Sequence, residues 1–228
     1  MIRRVCTIKP SFLGIYPSIV EKASKCKSAV SFILIYSLIS FILVGCAFEF
    51  TPSPIPPAFP TQSQLLPVSG FELNYEPSLW NDQGNVQYST NCYAYALNIQ
   101  TGFNRGDKLQ PGELSGEPLS SSSDIEVSRI IELVEADAEA EGFLFESVGA
   151  GDVCPEDTYK VALVVDPQID YHWYRQNSDG KWSHKPGHTE ITDTDASGNV
   201  IYNPQNADRD YGGINYSEFG GFFCTGID

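Results

Sequence analysis

Residues 159–165, Tyr-Lys-Val-Ala-Leu-Val-Val, form a nearly unbroken apolar run rich in β-branched side chains. A strand with one wet face alternates apolar and polar residues, and this one does not. It predicts a central strand buried on both faces. Around it, residues 143–148, 170–175 and 181–184 predict three more strands. Asn177-Ser178-Asp179-Gly180, between the last two, is a hairpin turn signal. A further strand is expected at 199–202, ended by Asn203-Pro204, before an aromatic, glycine-rich close that includes Gly220-Gly221-Phe222-Phe223-Cys224.

The helical signals come earlier. Residues 122–141 carry an apolar face (Ile125, Ile130, Ile131, Leu133, Val134, Ala138), with Ser122 or Ser123 as cap and Gly142 as stop. The acids Glu132, Glu135, Asp137, Glu139 and Glu141 are read as its solvated side. A shorter helix should begin at Cys92, after the polar residues 88–91, and end between 98 and 102. Residues 74–88 read as irregular structure around Trp80, and 102–123 as a loop. Helices first and an antiparallel meander afterwards predict an α+β domain over 71–228.

Two segments precede that domain. Residues 29–48 hold no charge and follow Lys22, Lys25 and Lys27, which is the pattern of an export signal. Leu43-Val44-Gly45-Cys46 at the end of this run resembles a bacterial lipobox, implying lipidation of Cys46 and removal of residues 1–45. The alternative is an uncleaved membrane anchor, for which about twenty apolar residues suffice. Both place the domain outside the cytoplasm. Residues 46–70, with prolines at 52, 54, 56, 57, 60 and 67, predict an extended spacer.

Six of the 14 basic residues, but one of the 29 acids, lie in the leader. From Cys46 onward eight bases face 28 acids. Such a surface repels phosphate backbones, which excludes nucleic acid as a partner. Six cysteines include no CxxC pair. Three are in the domain, and for an exported chain Cys154 with Cys224 is the natural disulfide, leaving Cys92 free.

Cys92 stands at a helix start, where unpaired amides and the helix dipole favour thiolate. His172 and His184 are twelve residues apart across the hairpin turn, near one end of the sheet. A thiol nucleophile, a general base and a residue that orients the base are the parts of cysteine acyl transfer. Trp173, Tyr174 and Trp182 are candidates to line a substrate groove. Asn203 is a rival to His184 for the orienting role. The competing readings are a small buried core cysteine in a binding module, and a metal site of His172, His184 and His188 with Cys92.

The order and spacing of Cys92, His172 and His184 resemble those of the NlpC-type, papain-like cell-wall peptidases. In that family a cysteine opens a helix, a histidine follows at a strand start, and a third polar residue lies about twelve positions on. The usual Asp-Cys-Ser is here Asn91-Cys92-Tyr93, and the usual His-Val-Gly is His172-Trp173-Tyr174. The resemblance covers residues 80–224 and implies a papain-like fold. By it Cys92 is nucleophile, His172 base and His184 orienter, with no metal or other cofactor. It further implies action on amide bonds of peptidoglycan stem peptides; the chain itself is expected to be a monomer.

Overall fold

The computed structural model describes residues 64–82, 85–100, 104 and 106–226. The leader, Cys46 and most of the proline-rich spacer therefore lie outside the described residues. The described chain is α+β. Two single-turn helices, α1 (Pro77–Trp80) and α2 (Val86–Ser89), lead into α3 (Cys92–Ala96). The long helix α4 (Val127–Glu141) follows, then five strands: β1 (Leu144–Val148), β2 (Tyr159–Asp166), β3 (Asp170–Gln176), β4 (Trp182–His184) and β5 (Glu218–Gly226).

The sheet is antiparallel with strand order β1-β5-β2-β3-β4. It is therefore not a simple meander, because the last strand inserts between the first two. Residues 199–202 make only an isolated bridge, Thr194 to Val200, instead of the expected strand. The insertion places β2 between β5 and β3, the central position its composition demands. Tyr159, Val161, Leu163 and Val165 point to one face, against α3 and α4. Ala162 and Val164 point to the other, where Ile201, Ala207 and Tyr216 of the long segment before β5 cover them. Both faces are dry, so alternation vanishes from the sequence.

Pairing of β5 with β2 slips by one residue at Gly220-Gly221: Leu163 faces Gly221 while Val164 faces Phe219. A Cβ on Gly220 would lie 2.7 Å from Leu163 Cγ, and Gly221 has φ 123°. Only glycine fits this bulge. The disulfide Cys154–Cys224 is formed and pins β5 to the β1–β2 connection.

Helix α4 stops at Gly142, whose φ of 78° is the left-handed cap conformation. Its start differs from expectation. Ser121 caps a 3-10 turn at Ser122–Asp124, and α4 begins afterwards at Val127. Asp137 is not on a solvated side; it is fully buried. Its carboxylate accepts from the Tyr93 hydroxyl (2.8 Å), the Gly112 and Ser115 amides (2.8 Å each) and the Ser115 hydroxyl (3.0 Å). One side chain thus ties α4, α3 and the 111–116 loop together.

Candidate active site

Helix α3 has five residues and could not persist alone. Its surroundings hold it. Asn91 caps it by accepting from Ala94 N–H, and its amide donates to Leu109 O at 2.8 Å. Tyr159 hydroxyl donates to Ala96 O (2.9 Å), and Arg175 donates to Tyr95 O (3.1 Å) while its guanidinium lies 3.9 Å from the Tyr95 ring centroid. Cys92, in the first turn, is thereby fixed against β3.

Strand β4 pairs with β3 only from Tyr174 to Gln176. The first half of β3 has no strand neighbour on that side, and Cys92 lies beside it. The backbone amides of Trp173 and Tyr93 act on its sulfur to favour the thiolate. Burial, and next the negative charge of Asp170, push the thiol up to about 12, with Lys108 opposing weakly. The expected thiolate is therefore corrected to a resting thiol. Dehydration of the sulfur outweighs the one-turn helix start, which offers too few aligned amides to offset it.

His172 and His184 meet. His172 Nε2 is 2.7 Å from His184 Nδ1, and His184 Nε2 is 3.0 Å from the Thr194 carbonyl. A carbonyl only accepts, so His184 carries its proton on Nε2 and its Nδ1 is a bare acceptor. His172 must then donate from Nε2, which leaves His172 Nδ1 unprotonated. Burial, followed by repulsion from His184, holds His172 well below the usual imidazole range; burial lowers His184 to about 4. Both rings are neutral at pH 7. Tyr216 stacks on His172 (centroids 5.4 Å apart, planes at 29°), and its hydroxyl donates to Asp170 Oδ2 at 2.9 Å.

Cys92 and His172 line one cavity of about 330 Å³, together with Asp170, Lys108, Pro186 and Tyr216. Of the three residues that spacing singled out, Cys92 and His172 therefore share one cavity, and His184 is joined to them through its bond to His172 without lining that cavity. The other candidates do not line it either. Trp173, Tyr174 and Trp182 are core residues, each at most 1% exposed. Trp173 packs on Tyr93, Phe145 and Phe223, and Trp182 on Phe222. They cannot form a substrate groove, because the helices cover one face of β3 and the long segment before β5 covers the other. Asn203 turns its side-chain carbonyl to Gln205 N–H, and the side chain bonded to His172 is that of His184. His188 reaches the Asp107 carbonyl instead of joining the other two. Among the described residues no group of three or more His, Cys, Asp or Glu is arranged to hold a metal. Asp170 and Tyr216 carried no motif of their own; their role depends on the chain returning over His172.

No family model matches the chain, and no solved structure does. A curated relative is the insoluble matrix shell protein 1 of Ruditapes philippinarum, 37% identical over 153 residues, covering 67% of this chain and 89% of that protein. The chain belongs to the insoluble matrix shell protein 1 family. Within that family, this member carries a buried thiol that shares a cavity with one of two linked imidazoles.

Proposed function

We propose that the protein is a thiol hydrolase acting outside the cytoplasm on amide bonds, with peptidoglycan stem peptides as the first substrate to test. The observation that carries this reading is the His172–His184–Thr194 hydrogen-bond chain. It leaves a basic nitrogen on a ring that shares a cavity with the only free cysteine of the described residues. As sulfur adds to the amide carbonyl, His172 Nδ1 takes the thiol proton. The imidazolium keeps its Nε2 bond to His184. The backbone N–H of Cys92 itself, at the start of α3, is the donor for the oxyanion; that of Ala94 is held by the Asn91 cap. Collapse breaks the C–N bond, and the leaving amine takes the proton from His172. Water then adds to the thioester, gives its proton to His172, and a carboxylic acid leaves as the thiol re-forms. With the thiol raised to about 12 and His172 held below the imidazole range, no ion pair stands at rest, so the proton must leave as sulfur adds.

We read the fold as a papain-like, NlpC-type arrangement and the chain as a monomer anchored through lipid at Cys46. An oxidising location is supported by the Cys154–Cys224 bond and by membership in a shell matrix family. The test is the full chain, with Cys92→Ala beside it, on purified peptidoglycan, reading released fragments by mass. Release by the wild type alone supports the proposal; no release, or equal release by both, removes it.

A second reading is a matrix module without catalysis. It is favoured by the thiol held near 12 and by the name of the shell relative. If Cys92 reacts with iodoacetamide no faster than a free thiol and no amide substrate is cut, this reading stands.

A further inference from the structure

Lys185 follows His184 directly and is fully buried. Its ammonium donates to four backbone carbonyls: Gly187 at 2.7 Å, Gln87 at 2.8 Å, and Thr90 and Thr189 at 3.0 Å each. No carboxylate takes part. The ion pairs among the described residues are Arg129–Glu132 and Lys181–Asp179, both exposed. Burying a charge without a counter-ion costs several kcal/mol, so the chain must recover this through the carbonyls. Three N–H donors among four oxygens make a full cage with one shared bond.

The cage joins two particular pieces of chain. Gln87 and Thr90 belong to α2 and its C-terminal cap, and Thr90 is two residues before Cys92. Gly187 and Thr189 belong to the loop that leaves β4, just beyond His184. Asn91 and Cys92 line the cavity from one piece, Pro186 and Gly187 from the other. Resting on the thiol-hydrolase reading, we propose that Lys185 is a positioning residue: its ammonium clamps the cavity wall that bears Cys92 to the strand that bears His184, and so sets sulfur against imidazole. The apolar stem fills space, but only the ammonium supplies donors pointing at both walls. Burial brings Lys185 down to about 8, so the ammonium predominates at pH 7.

The test is Lys185→Ala in the full chain, in which propylammonium replaces the atoms removed. Cys92 alkylation is followed by peptide-resolved mass spectrometry, and folding by circular dichroism. Alkylation should rise roughly tenfold as the wall loosens. Turnover should fall roughly 100-fold in kcat with little change in KM, since a small misplacement acts on the chemical step. Propylammonium should reverse both effects, and tetramethylammonium, a cation without N–H, neither. Wild-type alkylation in folded Lys185→Ala overturns the proposal. So does an effect that propylammonium leaves unchanged, or failure of the variant to fold even with propylammonium present, which would make the lysine scaffold. Alkylation needs no substrate, so the role of Lys185 is decided even if no amide is cleaved and the hydrolase reading falls.

Discussion

Two buried polar clusters flank α3, and they differ in one respect. Around Asp137 four donors converge on one carboxylate, and both its oxygens are engaged. Around His172 the hydrogen-bond chain runs through His184 to the Thr194 carbonyl on one side and leaves the other ring nitrogen without a proton, on a ring that opens to a cavity. A buried polar group with all its capacity used fastens chain segments; one with capacity left over can exchange a proton. The comparison separates scaffold from chemistry without reference to residue type. Buried acids and histidines are both common catalytic groups, yet of these two only the histidine keeps a ring nitrogen outside the hydrogen-bond chain.

The comparison can be broken by exchanging the effects. His172→Ala should lower kcat by roughly 10⁴-fold, as expected for the base of a nucleophile–base pair, while lowering the urea midpoint less than the Asp137 variant does. A stability loss as large as that of the Asp137 variant would merge the two classes. Asp137→Ala should do the reverse, costing about 4 kcal/mol in urea unfolding because four donors lose their acceptor, with kcat per folded molecule kept. Reducing the Cys154–Cys224 bond, which closes a separation of 70 residues, should cost about 4 kcal/mol by the chain-entropy estimate. Site-resolved alkylation should show Cys92 reactivity unchanged in the molecules that remain folded.

The histidines also predict a pH effect. Their folded pKa values lie below the unfolded 6.5, with His184 at about 4. Between those values the unfolded chain binds more protons, so stability is full above 6.5 and falls as pH drops towards 4. His184 alone should account for about 3 kcal/mol over that interval, at about 1.4 kcal/mol per pH unit. Denaturation midpoints for wild type and His184→Gln should converge as the pH is lowered; parallel curves would show the imidazoles to be solvated.

Much of this was legible in the chain because local signals carry it. The 159–165 run gave the central strand, Asn177 to Gly180 the hairpin, Gly142 the helix end, and the twelve-residue interval the meeting of His172 with His184. What was hidden depends on partners distant in sequence. The insertion of β5 leaves no local pattern. Asp137 looks solvated by its helix position until the 111–116 loop returns to it. Trp173, Tyr174 and Trp182 alternate as strand residues should, but nothing nearby says that both faces are covered. For Cys92 the cap-like residues were read correctly, and burial then reversed the expected sign.

The cations held inside the domain lack acidic partners in the ion-pair sense: Lys160 bonds to the Ala150 and Asp152 carbonyls, Lys185 to its cage, and Arg175 to carbonyls and aromatic rings. Few bases then remain outside to offset 28 acids. Dissolved electrolyte should therefore strengthen this domain by damping repulsion across its exterior, while the interior contacts stay out of its reach. A medium rich in ions would be the setting in which such a chain holds together best.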